Sequence, residues 1–151
     1  MTLEERLHVL RGVPEFRELP ADASAALAAA MREEFFTAGE VFISAGEHAD
    51  RVFVLCSGVL EVTPDGRPGL VRRLERHALL GELAFFAGDV RTATVRAAVD
   101  CVLLSLSFES FRAFLLAHPQ VTLILTGRIV RAFRGLEAEL IAARHADTAR
   151  R

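Results

Sequence analysis

Residues 81–95 read Gly-Glu-Leu-Ala-Phe-Phe-Ala-Gly-Asp-Val-Arg-Thr-Ala-Thr-Val, and these residue types at this spacing can hold a small anion. Gly81 lets the backbone come close to a ligand. The residues after it can open one helical turn whose free N–H groups point at negative charge, and Arg91 adds a forked cation. Glu82 would repel a bare phosphate. A ligand that joins a phosphate to a sugar diol gives Glu82 a purpose, because its oxygens can accept hydrogen bonds from ribose hydroxyls.

The elements that position this segment follow from periodicity. From Thr2 to about Arg32 the chain reads helical, with Leu3, Leu7 and Leu10 at helical spacing, Pro14 and Pro20 as punctuation and an Ala-rich run from Ala25 to Ala30. From Glu33 to about Ser107 the pattern changes to short apolar runs separated by Gly, Pro and Asp. Strands are expected at 34–36, 41–44, 51–56, 59–63, 70–74, 93–98 and 102–106, the rhythm of an antiparallel roll or sandwich. Pro64-Asp65-Gly66 predicts a hairpin turn. The stretch from Gly81 to Gly88 is the single helix-like break in that zone, so a site placed there interrupts the ladder. From Phe108 to about Ala143 the chain is helical again, with Pro119 separating a short helix from a long one. Ile129, Phe133, Leu136, Leu140 and Ala143 alternate steps of four and three. Such a seam either pairs two helices or packs on the chain's own core.

The 80–95 segment resembles the phosphate-binding cassette of cyclic-nucleotide-binding domains, whose pattern is Phe-Gly-Glu-Leu-Ala-Leu, a variable turn, then Arg-Ala/Thr-Ala-Thr/Ser-Val. Here Leu80 replaces the usual Phe and Phe85 a usual Leu; both keep apolar bulk. Gly81 and Arg91 lie as far apart as in the kinase regulatory subunits that bind cyclic AMP. Upstream, Ala38 to Ile43, Gly46, Val52 to Leu55, Gly58 and Leu60 to Val62 look like the strands entering the family's β-roll. Arg11 to Leu19 resembles its leading helix and turn, and the chain after Ser107 its trailing helices.

That resemblance implies one domain over 1–151: an N-terminal helical segment at 1–33, an antiparallel β-roll (a jelly-roll-like double-stranded β-helix) at 34–107 carrying the cassette at 80–95, and C-terminal helices at 108–147. It implies a cyclic nucleotide as ligand and no cofactor, with cyclic AMP the default and cyclic GMP the close alternative; a dinucleotide messenger stays open. The site it implies is Gly81, Glu82, Leu83, Ala84, Arg91, Thr92 and Ala93, with Arg91 on the phosphate and Glu82 on the ribose 2′-hydroxyl. Thr92 bears on the purine, since cyclic-GMP-binding kinase sites often carry Thr there and many cyclic-AMP sites Ala. Val71, Leu79 and Leu80 are candidates for the wall under the base. Arg128, Arg131 and Phe133 are candidates to close over it from the last helix, the movement that carries the signal. A homodimer through the helix after Pro119 and an unidentified protein effector complete the reading, with no catalysis. The helix-turn-helix that follows in bacterial regulators of this family is not found in Arg144 to Arg151, so this segment is not expected to read DNA.

Two other readings stand beside this one. Gly46-Glu47-His48 ahead of Val52 faintly resembles a cupin's first metal motif, but Asp50 stands where a second His belongs, and His77 and His118 lie elsewhere. A ligand-free interaction module of the same fold has no use for Glu82 and Arg91 together. Composition agrees with a globular binding domain: 151 residues, 52% hydrophobic and 25% charged, with formal charge −2. That charge argues against broad nucleic-acid binding. The start Met1-Thr2-Leu3-Glu4-Glu5-Arg6 lacks an apolar leader and no run approaches a membrane span, so a cytoplasmic location is expected. Cys56 and Cys101 sit in apolar runs and are expected to be buried and reduced.

Overall fold

The computed structural model describes residues 1–150, without the side chains at positions 132, 133, 136, 139 and 147–150. Two compact units emerge, Met1–Ala117 and His118–Arg151.

The first unit begins with α1 (Leu3–Gly12), a 3-10 turn (Pro14–Phe16) and α2 (Ala21–Ala30). The start of α1 is written into the sequence: Thr2 accepts from the Glu5 backbone while the Glu5 side chain accepts from that of Thr2, a reciprocal capping box. Eight strands follow: β1 (Arg32–Phe36), β2 (Val41–Ile43), β3 (Arg51–Ser57), β4 (Leu60–Pro64), β5 (Arg72–Leu74), β6 (Leu79–Leu80), β7 (Ala93–Ala97) and β8 (Cys101–Ser107). They form two antiparallel four-stranded sheets, in orders β1-β8-β3-β6 and β2-β7-β4-β5. The helix α3 (Glu82–Phe86) interrupts the strands after β6, and α4 (Phe108–Ala117) closes the unit. This is the expected mainly-β architecture with flanking helices.

Strand β3 is apolar without alternation because it is covered on both faces, Val52 through Cys56 all being buried. Phe53 and Leu55 point into the inter-sheet core with Ile43, Leu60, Leu80, Val95, Ala97, Cys101 and Leu103. Burial at this scale contributes about 1.5–3 kcal/mol per large side chain, so this layer is what keeps the two sheets together. At one end Phe36 stacks on Phe42 (4.1 Å between centroids), and Phe42 meets Phe53 edge-on at 5.5 Å.

Two expectations change. The strand expected at 70–74 is shorter, because the β4–β5 pairing ends at Val62↔Arg72 and Leu70 is drawn into a turn through its N–H to the Arg67 carbonyl (3.0 Å). The two-residue β6 carries too little sequence for a period and exists because Leu79 and Leu80 pair with Val54 and Phe53. The turn at Pro64-Asp65-Gly66 forms as expected, with the Arg67 N–H on the Pro64 carbonyl at 3.1 Å. The second unit is one helix, α5 (Pro119–Arg150), starting on the proline and running past the expected end near Ala143. Of the proposed seam, Phe133 and Leu136 lie outside the residues whose side chains are described, and Leu140 is 56% exposed. Among the described residues no single helix is long and apolar enough to cross a membrane.

Both cysteines are buried and unpaired. Burial pushes the Cys56 thiol up to about 11 and raises that of Cys101 as well. Neither is expected to react with Ellman's reagent at pH 8 within minutes in the folded protein, and both react after unfolding; prompt reaction of the native protein would contradict their burial. Because the folded thiols titrate above their unfolded value, stability is intact below that value and declines as pH rises from about 9 towards 11. Gly58 has φ +101°, and a Cβ there would stand 2.5 Å from Cys101 Sγ and 2.7 Å from the Asp100 carbonyl oxygen. Gly58→Ala should therefore cost about 2–4 kcal/mol, from backbone strain plus overpacking. That is a fall of roughly 4–16 °C in Tm, measurable by thermal denaturation.

Candidate ligand-binding site

A cavity of about 270 Å³ opens between α3, β5, β6 and the start of β7. Its lining contains Leu79, Leu80, Gly81, Glu82, Leu83, Ala84, Arg91, Thr92 and Ala93, so all seven principal site candidates and two of the three base-wall candidates come together. Val71 does not line it: it stands 52% exposed just ahead of β5, and pairing begins only at the next residue. Arg72 and Leu74, one strand pitch apart on β5, take that wall instead, joined by Ile43, Val62 and Val95. The sequence reading missed Arg72, whose signal was its position two residues before Leu74 on one strand face. A larger hollow of about 490 Å³ lies beside α1, but Glu4, Glu5 and Glu33 stand in its walls against Arg76 and His8. The smaller cavity carries the opposite balance, Arg72 and Arg91 against Glu82.

Arg91 is the unusual residue. It is only 7% exposed. Its backbone is pinned to the loop before β3, its N–H donating to the Glu47 carbonyl and its carbonyl accepting from the Gly46 N–H, both at 2.9 Å. Its Nη2 donates to the Arg51 carbonyl at 2.9 Å, and its Cζ lies 5.8 Å from the centroid of the Phe53 ring. Its Nη1 is buried and has no hydrogen-bond acceptor among the described residues. Burial lowers its pKa, Asp50 raises it and Arg51 lowers it. The guanidinium stays charged, so a buried cationic donor is left without an acceptor, at a cost of 1–3 kcal/mol or more in general. An anion seated in the cavity removes that cost.

Gly81 is the N-cap of α3 with φ +93°, left-handed backbone that suits glycine. A Cβ there would lie 2.9 Å from Arg91 Nη1 and 3.1 Å from the Arg51 carbonyl oxygen, so a methyl group would push on the guanidinium. The first-turn N–H groups of α3 have no intrahelical acceptor and begin at the same point. Glu82 lines the cavity one residue on. Ala84 is buried, Leu83 is 45% exposed, and Asp89, itself at φ +64°, donates its N–H to the Ala84 carbonyl at 2.7 Å. At the far side the Thr92 carbonyl accepts from Asp65 and the Thr94 hydroxyl accepts from Ala45 at 3.1 Å, fixing the strand on which Ala93 sits.

The candidates on α5 belong to the second unit. Arg128 and Arg131 are exposed there, and the side chain of Phe133 lies outside the described residues. His48, the residue of the metal reading, is exposed and forms an isolated bridge with Val90; among the described residues no three His, Cys, Asp or Glu side chains are placed to hold a metal ion.

Gly81→Ala should lower stability by about 1–2 kcal/mol through its left-handed backbone. It should also displace the Arg91 side-chain Nε–H resonance in an NMR spectrum. An unmoved resonance would show that the guanidinium does not rest against Gly81.

Residues 33–118 match the model of the cyclic nucleotide-binding domain family. The chain is similar to potassium channel SKOR of Arabidopsis thaliana, 32% identical over 108 residues, 70% of this chain and 13% of that protein. It is also similar to cGMP-dependent protein kinase 2 of Mus musculus, 29% identical over 113 residues, 72% of this chain and 15% of that protein. Among solved structures, the N-terminal domain of a transcriptional regulator from Streptomyces coelicolor A3(2) superposes with TM-score 0.67 at 30% identity, covering 87% of this chain and 94% of that one. The chain thus spans under a sixth of those two curated relatives. With a matched segment that runs from β1 through α4 and contains the whole cavity, the chain belongs to the cyclic nucleotide-binding domain family.

Proposed function

We propose that the cavity binds a 3′,5′-cyclic purine nucleotide and that the chain serves as a regulatory sensor without catalysis of its own. The observation that carries this reading is the buried Arg91 Nη1, which lacks an acceptor among the described residues and faces Gly81 at the mouth of a short helix. Arg91 holds the cyclic phosphate through charge-assisted hydrogen bonds, with backbone N–H groups of the first turn of α3 beside it. Glu82 accepts from the ribose 2′-hydroxyl, and Thr92 and Ala93 close the far side of the phosphate.

Cyclic AMP is the first ligand, since adenine needs an apolar slot and Val62, Leu74, Leu79 and Leu80 supply one. One observation favours cyclic GMP as a second reading. Arg72 lines the same cavity, and an arginine fork suits the O6 and N7 acceptors of guanine, whereas the N6 amino group of adenine presents a donor to it. Thr92 points the same way.

The relay starts from Phe85. Its ring meets Phe108 edge-on at 5.2 Å and Phe111 at 4.9 Å, and Arg112 lies over it at 5.4 Å, so α3 is wedged against α4. A ligand that draws α3 towards Arg91 binds one packing of these rings better than another, which is what a shift in population requires. Arg128, Arg131 or Phe133 on α5 then closes over the base. Exposed apolar side chains along α5, among them Leu123 and Leu140, fit a homodimer through that helix, and an effector protein receives the signal.

Isothermal titration with both nucleotides tests the reading. Saturable binding is expected, weakened in Arg91→Ala by about 2–5 kcal/mol, a factor of roughly 30 or more. If cyclic GMP is preferred, Arg72→Ala should remove about 1–3 kcal/mol of that preference. No heat with either nucleotide, from folded and nucleotide-free protein, would favour the ligand-free interaction module. Sedimentation with and without nucleotide checks the dimer.

A further inference from the structure

A second cation stands close to the phosphate seat and is held by carboxylates. Arg51 Nε and Nη2 are bound in bidentate fashion by Glu34 at 3.0 and 3.1 Å, and Nη1 lies 3.3 Å from Asp50. The Arg51 Cζ is 5.0 Å from the same Phe53 ring that Arg91 approaches at 5.8 Å, and the Arg51 carbonyl anchors Arg91 itself. Two guanidiniums therefore approach one buried ring. Of these two guanidiniums Arg91 lines the cavity and Arg51 does not; Arg72 stands on the β5 wall, away from the Gly81–Arg91 contact that marks the phosphate seat. Glu34 on β1 reaches Arg51 on β3 across β8, so the pair exists only because both strands flank that one. Asp50 is the weaker partner, being largely exposed and making one contact.

The charges decide what the seat prefers. A cyclic phosphodiester carries one negative charge, while a phosphomonoester carries close to two at neutral pH. Arg91 beside Gly81, with Nη1 unfilled among the described residues, matches the first. Two free cations would match the second, because an added unit charge at this range gains more from a dianion than from a monoanion.

We propose that Glu34, by holding the Arg51 guanidinium, keeps the Arg51 charge from adding to that of Arg91 at the phosphate seat and so makes the seat select a cyclic phosphodiester over a phosphomonoester. The inference rests on the proposed ligand site and deepens it: Glu34 is a positioning residue, acting through Arg51 and touching no ligand.

The test compares cyclic AMP, 5′-AMP and inorganic phosphate by isothermal titration on the full chain and on Glu34→Gln, which keeps the side-chain shape. The expected result is that the preference for cyclic AMP over 5′-AMP falls about tenfold or more in Glu34→Gln, that the slope of affinity against salt steepens for 5′-AMP, and that adding Arg51→Gln restores the original preference. A merely structural role for Glu34 would weaken both nucleotides alike. A preference changed by less than twofold, or a change that persists in the double variant, overturns the inference. If the unmodified chain binds neither cyclic AMP nor cyclic GMP, the functional reading fails separately. The inorganic-phosphate arm, followed through the Arg91 Nε–H resonance, then decides this one: tighter phosphate binding in Glu34→Gln upholds it, and unchanged binding overturns it. Melting curves identify a variant that fails to fold, in which case Glu34→Thr, which also removes the carboxylate and suits a strand, replaces it with the same outcomes.

Discussion

The site depends on keeping one arginine charged inside the protein. A cation in a low-dielectric setting is costly unless donors find acceptors, and Arg91 finds only some. Its backbone is tied to Gly46 and Glu47 and its Nη2 to the Arg51 carbonyl, while Nη1 is left over. The surrounding structure supplies rigidity in place of satisfaction. The β3–β8 ladder fixes the Arg51 carbonyl, the core beneath fixes Phe53, and Gly81 removes the one Cβ that would collide with the guanidinium. Each of these contributes packing that a fold of this size needs in any case, so holding the unfilled donor adds no separate scaffold.

The same arrangement explains why the cassette is short. A five-residue helix has little stability of its own, and α3 persists because Leu80 and Ala84 are buried and Phe85 is held edge-on by Phe108 and Phe111. An element held mainly by tertiary contacts can shift when those contacts change. Phe85, which departs from the family's usual Leu, gives α3 an aromatic grip on α4 where an aliphatic side chain would have only bulk. The charges near Phe53 follow a related economy: Arg51 is neutralised by Glu34 and Asp50, so a second cation lies beside the seat without adding its full charge to it.

Much of this was legible from residue types alone. The cassette could be read because its chemistry is local: a glycine, a one-turn helix, a carboxylate and an arginine lie within one stretch. The strands β1, β3, β4, β7 and β8 were legible for the same reason, since period and turn residues are short-range signals. What escaped was set by pairing between distant segments. β6 is a strand only through β3, and β5 begins at Arg72 because β4 stops pairing there, which moves Arg72 into the cavity and Val71 out of it.

The sequence by itself determined the family, the mainly-β class, the turn at Gly66, the cap of α1 and the glycine, carboxylate and arginine that the cassette brings within one stretch, because those depend on interactions among residues a few positions apart. Tertiary structure alone decided that Arg91 is buried and not a surface cation, that its Nη1 lacks an acceptor among the described residues, and that Glu34 reaches Arg51 across β8. Burial, desolvation and ion pairing depend on which strands lie side by side. Sheet order is a property of the whole packed chain, and no local pattern of residues states it.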